Sequence, residues 1–410
     1  MLIAVTLLGV AVRVAYCVTT NQPGPYGDPG FYHRTAEALA DGRGYVGTLT
    51  YFNPGPTAEH PPLFSVLVAG ITLLGGTGMG TQRLVESVLS AAAVIPLIGL
   101  LGREVAGRRV GTIAAAAAAL SPILIAAESS TDSEALYGIF VALILLWAYR
   151  FSARPTLRNA VLLGVWIGVA VLTRSEAVLF LAIPVGLAIG RGPPRQWRAM
   201  AVGAGVAVMV VSPWLVRNWV DLGRPTLSTN LGTLMAGSHC RPAYYGPRAG
   251  AFIVDCIFDP TGANELARSD SLTRRGLNYA SHHASRVPYV AALRFLNVWG
   301  FRDVRHGLNI YAAPVRMQRL EPFGYYPLLV LAGIGMIILR RRRRLLWPLV
   351  VPFAFTTLIA ITSWGGVRFR HPSELAMTVL AAVAVDAGIA ALQARRLSHS
   401  ASRPLSRQDS

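Results

Sequence analysis

The chain has 410 residues, of which 53% are hydrophobic and only 14% are charged, and its formal net charge is +18. A soluble protein of this length needs far more charge to cover its surface, so the composition predicts a polytopic membrane protein. Every basic residue counted is arginine. Because an arginine excess is typical of the cytoplasmic loops of membrane proteins, the charge does not indicate nucleic-acid binding.

Ten segments are apolar and long enough, or nearly so, to cross a membrane as helices, which takes about 20 residues. They are residues 2–20, 82–102, 110–127, 134–149, 158–173, 177–190, 199–216, 323–339, 345–362 and 372–393. The first has neither a basic leader nor a convincing cleavage site, so we expect a retained signal-anchor helix rather than a cleaved signal peptide. Clustered arginines fall at alternate connections, and the positive-inside rule makes that side, with both termini, cytoplasmic. The predicted fold class is an all-α polytopic membrane protein with about ten transmembrane helices.

The segment "PPLFSVLVAGITLLGG" (61–76) is apolar but too short for a span, and its length is typical of interfacial or re-entrant helices. Counting it as a span would move the later arginine clusters to the outer side, so we expect one outer loop to contain it, with interfacial helices. The predicted divisions are a transmembrane core (1–216) that includes this first outer loop (21–82), a large extracytoplasmic loop (217–322), C-terminal spans (323–393) and a disordered cytoplasmic tail (394–410).

Asp28 lies in "GPYGDPG", a turn-forming segment directly after the first span. Residues 31–39 have the apolar spacing of a short amphipathic helix, which would lie on the membrane. Two interpretations stay open. The carboxylate is held at a fixed height above the lipid headgroups, or it caps the helix that begins near Gly30.

Two further segments place charged groups on the same predicted face. Glu59 and His60 precede a double proline that suits a helix start, so they either cap that helix or face Asp28 across a cleft. The segment "ESSTDSE" (128–134) carries Asp132 and Glu134, which belong either to a solvated turn or to a site.

Several motifs in chain order together resemble the lipid-carrier-dependent glycosyltransferases of the GT-C class. Within that class the chain is similar to the family 39-like branch of protein O-mannosyltransferases, aminoarabinose transferases and RgtA/B/C/D-like proteins. The motifs are "GDPGFYHRTAEALADGRGY", "EHPPLF", "SSTDSEALY", "LTRSEAVLFL", "SPWLVRNW" with "PTLSTNLG", and "RFRHP" before the last span. The resemblance implies a GT-C-type helical bundle. It also implies an enzyme that moves a sugar from a polyprenyl phosphate in the membrane to an acceptor on the outer face.

The resemblance also implies roles for single residues. Asp28 occupies the position of the general base that acts on the acceptor hydroxyl. Pro29 stands where many relatives have a second acid, which puts a two-carboxylate or metal-binding arrangement in doubt. Tyr32 matches a tyrosine that lines the donor site, and Glu59 and His60 match an acidic–basic pair, with His60 close to the donor phosphate.

Asp132 or Glu134 fits the place of an acid that orients the acceptor in relatives. On chemical grounds one carboxylate suffices to accept the acceptor proton, which contributes ~10²–10⁴-fold. A single carboxylate predicts inversion, because retention needs a second one as nucleophile.

The leaving phosphate needs cations, preferably arginine with its bidentate guanidinium. Arginines at the outer membrane boundary are therefore candidates for binding the donor. Arg370 is the first choice, followed by Arg217 and Arg368 and then, more weakly, by Arg174. Snorkelling of these side chains at the headgroups is an alternative of equal weight.

The large loop 217–322 contains turn-rich and helical segments, and we expect a helical lid that helps to select the acceptor. Its histidines are His239, His282 and His283. They have no compact ligand spacing, so no metal site is predicted and no cofactor or divalent cation is indicated. Cys240 and Cys256 pair only if the loop faces an oxidising compartment, and both outcomes stay open.

The predicted function is that of a multi-pass, inverting glycosyltransferase of the inner (plasma) membrane with an extracytoplasmic site. Its predicted partners are a polyprenyl-phosphate sugar, membrane lipids and a glycan, lipid or protein acceptor. A transporter or flippase of a lipid-linked sugar is the alternative, but it should place polar residues in mid-span. The spans are mostly apolar apart from Arg13, Glu86 and Asp386. A non-catalytic membrane scaffold is the third hypothesis, which Pro29 keeps open.

Overall fold

The computed structural model describes residues 1–21, 24, 26–47, 55–189, 194–258, 264–302 and 315–401. The first half of the chain forms α1 (Leu2–Thr19), α2 (Gly27–Ala40), α3 (Leu63–Leu73), α4 (Met79–Ala106), α5 (Arg108–Leu120), α6 (Pro122–Ala127), α7 (Glu134–Ala153), α8 (Leu157–Val171), a 3-10 helix (Ser175–Leu181) and α9 (Ala182–Ile189). Two short strands, β1 (Val46–Gly47) and β2 (Gly55–Pro56), pair in an antiparallel arrangement between α2 and α3.

The second half of the chain is also helical. It forms α10 (Pro194–Leu222), α11 (Leu231–Ser238), α12 (Arg241–Tyr244), 3-10 helices (Val254–Ile257 and Ala284–Arg286), α13 (Glu265–His282), α14 (Val287–Val298), α15 (Val315–Arg341), α16 (Trp347–Thr362), a 3-10 helix (Val367–Arg370) and α17 (His371–Ala401). The last helix continues past residue 394, where the sequence analysis placed the start of a disordered tail. The helix thus extends beyond the apolar segment to Ala401, and the division of the chain at residue 394 stays a prediction. Residues 402–410 of that tail lie outside the described residues.

Within the described residues, six helices are long and apolar enough to cross a membrane, namely α1, α4, α7, α10, α15 and α17. Four shorter apolar helices accompany them: Leu63–Leu73, Leu157–Val171, Ser175–Leu187 and Trp347–Thr362. The all-α polytopic fold class is confirmed, and within the described residues each predicted span is mostly helical. One span, 110–127, is divided into α5 and α6 between Leu120 and Pro122, because proline has no N–H to continue the helical bonding.

Helices α8 and α10 approach each other through glycines. A Cβ atom built on Gly203 of α10 would lie 2.5 Å from the carbonyl oxygen of Ala160, and one built on Gly164 of α8 would overlap Gly203. Inside a membrane, helices associate through van der Waals packing, and small residues allow this close approach. These glycines therefore hold two predicted spans together.

A buried ion pair attaches α1 to the rest of the bundle. The Nε atom of Arg13 lies 2.6 Å from Oε2 of Glu128, and both side chains are completely buried. The same guanidinium donates to the carbonyl oxygens of Ala118 and Ala119 at the end of α5. Charged residues within spans usually face the bundle interior and are paired, so Arg13 has a structural explanation.

The first outer loop folds into α2 and α3, which pack against each other. Phe31, Tyr32 and Phe64 are buried between them. Asp28 lies in the first turn of α2, whereas the N-cap residue is Tyr26, without a side-chain capping bond. The N-cap interpretation is therefore corrected, because the helix begins at Gly27, before Asp28, whereas the interpretation that the carboxylate is held at a fixed height above the headgroups stays a prediction. An acid in the first helical turn is favoured by the positive end of the helix dipole.

The large loop that the sequence predicts to be outer contains α11 to α14, which we call the outer helices, and the flanking helices α10 and α15 extend into it from both sides. A disulfide joins Cys240 and Cys256, which answers the question that the sequence left open. Glu265 of α13 binds the first outer loop, because its Oε1 accepts hydrogen bonds from the N–H of Ala58 (2.8 Å) and from Oγ1 of Thr229 (2.5 Å).

Candidate functional site

Charged side chains from five segments meet at one end of the helical bundle. The segments are the first turn of α2, the approach to α3, the turn before α7, the connection after α8 and the 3-10 helix before α17. They contribute Asp28, His60, Asp132 with Glu134, Arg174 and Arg368, respectively. Residues far apart in the sequence therefore form one cluster, which we call the carboxylate cluster.

Arg368 lies at the centre of the carboxylate cluster. Its Nη1 donates to Oδ2 of Asp28 at 2.8 Å, and its Nε and Nη2 donate to the two oxygens of Glu134 at 2.7 and 3.1 Å. Oδ1 of Asp132 is 3.8 Å from Nη2. The guanidinium thus links the acid of α2 to both acids of the α7 turn. Such bidentate contacts fix orientation as well as contributing energy.

Arg174 holds Glu134 from the other side. Its Nη1 lies 2.7 Å from Oε1 of Glu134 and 3.1 Å from Oγ of Ser133, and its Nε lies 2.6 Å from Glu176. Among the candidates taken from the sequence, this arginine ranks last. Its position directly after a span, two residues before an acid, was the signal that could have raised its rank.

Asp28 has a second neighbour in His60. Nε2 of the imidazole lies 3.6 Å from Oδ1 of Asp28, and the ring packs between Phe31 (centroid distance 4.9 Å) and Tyr32 (5.2 Å). The proposal that His60 faces Asp28 across a cleft is consistent with this geometry. The Asp28 side chain remains 29% exposed, so its carboxylate is accessible to a small acceptor group.

The protonation states of Asp28 and His60 follow from their surroundings. Burial alone would raise the pKa of Asp28, but the charge of Arg368, then His60, and the hydrogen bond from Arg368 outweigh it and lower the pKa to about 2. Burial lowers the pKa of His60, although Asp28 opposes that shift. At neutral pH the site therefore presents an ionised carboxylate beside a largely neutral imidazole.

The pKa of Asp132 is shifted in the opposite direction from that of Asp28. Burial raises its pKa to about 8, with Glu134 reinforcing the shift and Arg368 opposing it. Asp132 is therefore mostly protonated at pH 7. Glu86 of α4 interacts with it and is 2% exposed, and neither of its carboxyl oxygens has a hydrogen-bond partner in the described part of the chain. The sequence analysis noted Glu86 only as an exception within a span.

Tyr32 and Glu59 lie at the edges of this arrangement. Tyr32 is 1% exposed and packs edge-on against Phe64 at 4.7 Å, so it forms a wall of the site. The carbonyl oxygen of Glu59 accepts a 2.5 Å hydrogen bond from Ser228. Burial and then the Glu265 carboxylate raise the pKa of Glu59 to about 7. Glu59 thus lies at the junction of the first outer loop with the outer helices.

Arg217 anchors the first outer loop. Its guanidinium donates to the carbonyl oxygens of Thr57 (2.5 Å) and Tyr45 (2.6 Å) and lies 2.9 Å from Asp221. These contacts give Arg217 a structural role in holding the first loop, and the suggestion that it binds a donor phosphate stays a prediction.

Arg370 is completely buried away from Asp28. It pairs with Glu374 and, at 2.9 Å, with Glu321, and its guanidinium lies 3.7 Å from the centre of the Tyr325 ring. The structure therefore places Arg368, and not Arg370, in the carboxylate cluster, and the donor-binding role of either arginine stays a prediction. Residues two positions apart on a helical turn do not face the same side, so only one of the two arginines can reach the cluster.

The described residues contain no group of three or more histidine, cysteine or acidic side chains that could hold a metal ion. Around Asp28, the nearest charged partner is an arginine rather than a second acid. The arrangement can accept a proton at Asp28 and bind an anion at its guanidinium groups.

The chain matches one family model, described as dolichyl-phosphate-mannose-protein mannosyltransferase, over residues 59–217. The matched segment includes His60, Asp132, Glu134 and Arg174, and it excludes Asp28. No curated protein sequence matches the chain. The match confirms the resemblance that the motifs indicated.

Solved structures with the same fold include an oligosaccharyltransferase of Archaeoglobus fulgidus in the apo form. That structure has a TM-score of 0.58 and 16% identity, over 98% of this chain and 51% of the other. The archaeal oligosaccharyltransferase AglB from the same organism, in complex with an inhibitory peptide and a dolichol-phosphate, has a TM-score of 0.55 and 15% identity, over 100% of this chain and 52% of the other. ArnT from Cupriavidus metallidurans bound to undecaprenyl phosphate has a TM-score of 0.45 and 15% identity, over 94% of this chain and 77% of the other. The chain spans about half the length of the oligosaccharyltransferases, and the likeness to these two structures shows that it shares their polytopic helical fold.

Proposed function

We propose that this chain is an integral-membrane, inverting glycosyltransferase that moves a sugar from a polyprenyl phosphate to an acceptor hydroxyl. The observation that carries the proposal is the contact of Asp28 with Arg368, which puts a proton acceptor and an anion-binding group side by side. A family model described as dolichyl-phosphate-mannose-protein mannosyltransferase matches the segment that supplies four more members of the cluster. The dolichol-phosphate in the AglB complex is consistent with a lipid phosphate as the donor.

In the proposed reaction Asp28 acts as the general base. Its carboxylate accepts the proton of the acceptor hydroxyl while that oxygen attacks the anomeric carbon. The bond between this carbon and the phosphate oxygen breaks, and its electron pair leaves with the polyprenyl phosphate. Attack opposite the leaving group inverts the anomeric carbon, because a separate nucleophilic carboxylate is not required.

Arg368 is the proposed phosphate-binding residue. A guanidinium has five N–H donors in a planar fork that matches phosphate oxygens. Hydrogen bonds to Asp28 and Glu134 use three of them, and a phosphate can share or displace the contact with Asp28. Arg174 keeps Glu134 in place, so Glu134 orients Arg368 and need not touch either substrate.

We also propose that the carboxylate cluster lies on the extracytoplasmic side of the inner membrane. The arginine-rich connections 103–109, 150–158, 191–198 and 340–344 lie at the opposite ends of the predicted spans, which the positive-inside rule assigns to the cytoplasm. The disulfide in the outer helices supports this orientation, since disulfides persist in oxidising compartments.

The test of catalysis uses the protein in lipid nanodiscs with a set of radiolabelled undecaprenyl-phosphate sugars and cell-envelope acceptors. Asp28→Asn should lower the transfer rate by ~10²–10⁴-fold, the usual contribution of a general base. Asp41→Asn is the control, because Asp41 lies at the opposite, C-terminal end of α2, is exposed and pairs with Arg43 away from the cluster. Transfer by Asp28→Asn at the parent rate would refute the assignment.

The test of donor binding uses undecaprenyl phosphate alone. Arg368→Ala should weaken its affinity about tenfold or more, because a hydrogen bond to a charged group contributes ~1.5–3 kcal/mol. Arg224→Ala is the control, since Arg224 forms an exposed pair with Asp270 away from the cluster. Equal affinity in the Arg368 and Arg224 variants would remove Arg368 from the donor site.

A further inference from the structure

The outer helices carry a second concave site that the proposed reaction does not use. It is a cavity of about 490 Å³, bounded by the Cys240–Cys256 disulfide and by side chains of α13. This volume lies within the range of about 300–1,000 Å³ that small-molecule sites usually have. The disulfide joins two segments of the cavity wall by a covalent cross-link.

One wall of the cavity is aromatic. The rings of Tyr279 and His283 stack with a centroid distance of 4.0 Å and an interplanar angle of 17°. Phe258 also lines the cavity and is 52% exposed. Flat, partly exposed rings of this kind present a weakly negative face, against which the C–H groups of a sugar ring can pack.

The polar side chains of the cavity offer both donors and acceptors. Nδ1 of His282 and Nδ1 of His283 lie 2.8 Å from the carbonyl oxygens of Asn278 and Tyr279, so both donate. In a neutral imidazole the other nitrogen, Nε2, is then an acceptor. The Asn278 amide and Arg275 add further donors to the same cavity.

This set of groups favours a neutral, hydroxyl-rich ligand. An inorganic anion has no donors for the Nε2 lone pairs, and the lining of the cavity includes one charged residue of each sign, Arg275 and Asp255. A peptide bound as an added strand needs an exposed sheet edge, and the described outer helices include no strand. We infer that this cavity binds a neutral glycan. This identification rests on the proposed function: the bound glycan is part of the acceptor chain, and a different sugar unit of the same chain reaches Asp28.

Two hydrogen bonds connect the helices and loops around the cavity to the segment that carries Arg368. Nε2 of His239 lies 3.2 Å from the carbonyl oxygen of Thr362 at the end of α16. The N–H of Gly365 donates to the carbonyl oxygen of Gly250 at 3.2 Å. The connection that follows Thr362 leads directly to Arg368, so the outer helices dock on the part of the chain that also builds the carboxylate cluster.

The experiment measures glycan binding without any donor. The nanodisc protein is applied to an array of neutral oligosaccharides, anionic hyaluronan oligosaccharides and peptides, and hits are titrated by saturation-transfer NMR. A neutral oligosaccharide should bind, and Asn278→Ala and His282→Ala should each weaken it about fivefold, as expected for the loss of one hydrogen bond. Arg274→Ala is the control, since Arg274 is exposed on α13 and does not line the cavity.

Binding of only hyaluronan, only peptides or none of the probes would overturn the inference. The same holds if both cavity variants bind the hit as well as Arg274→Ala does. Asp28→Asn separates the two proposals, because it should abolish transfer and bind the glycan normally. If transfer fails in the parent while glycan binding persists, the proposed function is wrong and the glycan site stands. If transfer succeeds and the cavity variants do not raise the KM for a polymeric acceptor, the cavity has no part in acceptor binding.

Discussion

The raised pKa of Asp132 predicts how the affinity for the donor depends on pH. Burial raises its pKa to about 8, so it is mostly neutral at pH 7 and mostly ionised at pH 9. Its Oδ1 is 3.8 Å from Nη2 of Arg368. The new negative charge therefore appears beside the guanidinium that is proposed to bind the donor phosphate, and it should repel that phosphate.

The size of this effect follows from Coulomb's law. A phosphate on the far side of the Arg368 guanidinium lies about 8 Å from Asp132, and at an effective dielectric constant of about 20 two unit charges repel by about 2 kcal/mol. Since about 1.4 kcal/mol corresponds to a tenfold change, the Kd should rise about thirtyfold when Asp132 ionises. The affinity for the donor is highest at a pH below the raised pKa of Asp132, and it falls as the pH rises through that pKa.

The assay titrates undecaprenyl phosphate into the nanodisc protein at pH values between 6 and about 9.5. The parent should lose affinity above pH 8, whereas Asp132→Asn should bind with nearly constant affinity, because the amide cannot ionise. Asp41→Asn controls for the loss of any acid and should follow the parent. An alkaline loss of the same size in Asp132→Asn would refute the reasoning and assign the titration to another group.

Three further predictions concern stability, each measured by thermal unfolding in detergent. Glu128→Ala should cost about 3–5 kcal/mol, because it leaves Arg13 buried without a counter-ion, and the apolar pair Arg13→Met with Glu128→Leu should lose much less. Replacing Cys240 and Cys256 by serine should cost about 3 kcal/mol in the entropy model of loop closure, and the parent treated with a reductant should show the same loss. The raised pKa of Glu59, about 7, means that the folded protein retains a proton which the unfolded chain releases. Stability should therefore fall as the pH rises towards 7 and then level off, and Glu59→Gln should remove that slope.

Each of these predictions has an outcome that contradicts it. If the apolar double variant is as unstable as Glu128→Ala, the cost comes from packing and the unpaired charge is not its cause. A serine variant with the stability of the parent would mean that the outer helices hold their loop without the disulfide. A pH slope that persists in the glutamine variant would belong to another buried acid.

The spans of the bundle were predictable because apolar length is a local property. Within the described residues all ten predicted segments are mostly helical, and the clear departure, the break before Pro122, is caused by a residue type that the sequence displays. The number of helices that cross the membrane is not fixed by apolar length alone. Several apolar helices are short, and their depth depends on packing with neighbours.

The site was predictable only in part. Asp28 and His60 could be proposed because they flank apolar segments and match motifs of a known class. The choice between Arg368 and Arg370 could not be made from the sequence, since it depends on the turn at Val367–Arg370 and on which helix each side chain meets. The contact of Arg368 with Asp28 joins residues at opposite ends of the chain, and no local pattern indicates it.

The pairing of Asp28 with Arg368 has a consequence for the proposed reaction. A carboxylate with a pKa of about 2 is a weak base, so Asp28 is poorly suited to accept a hydroxyl proton while it is bound to the guanidinium. A donor phosphate that binds Arg368 competes for the same N–H groups and brings a negative charge near Asp28, and both changes raise the pKa of Asp28. Because the donor strengthens the base, Asp28 should become effective only when a sugar phosphate is in place. The acid limb of kcat, which reports the bound enzyme, should then lie at higher pH than the acid limb of kcat/KM for the donor, which reports the free enzyme. If the two limbs coincide, the donor does not release Asp28 from Arg368.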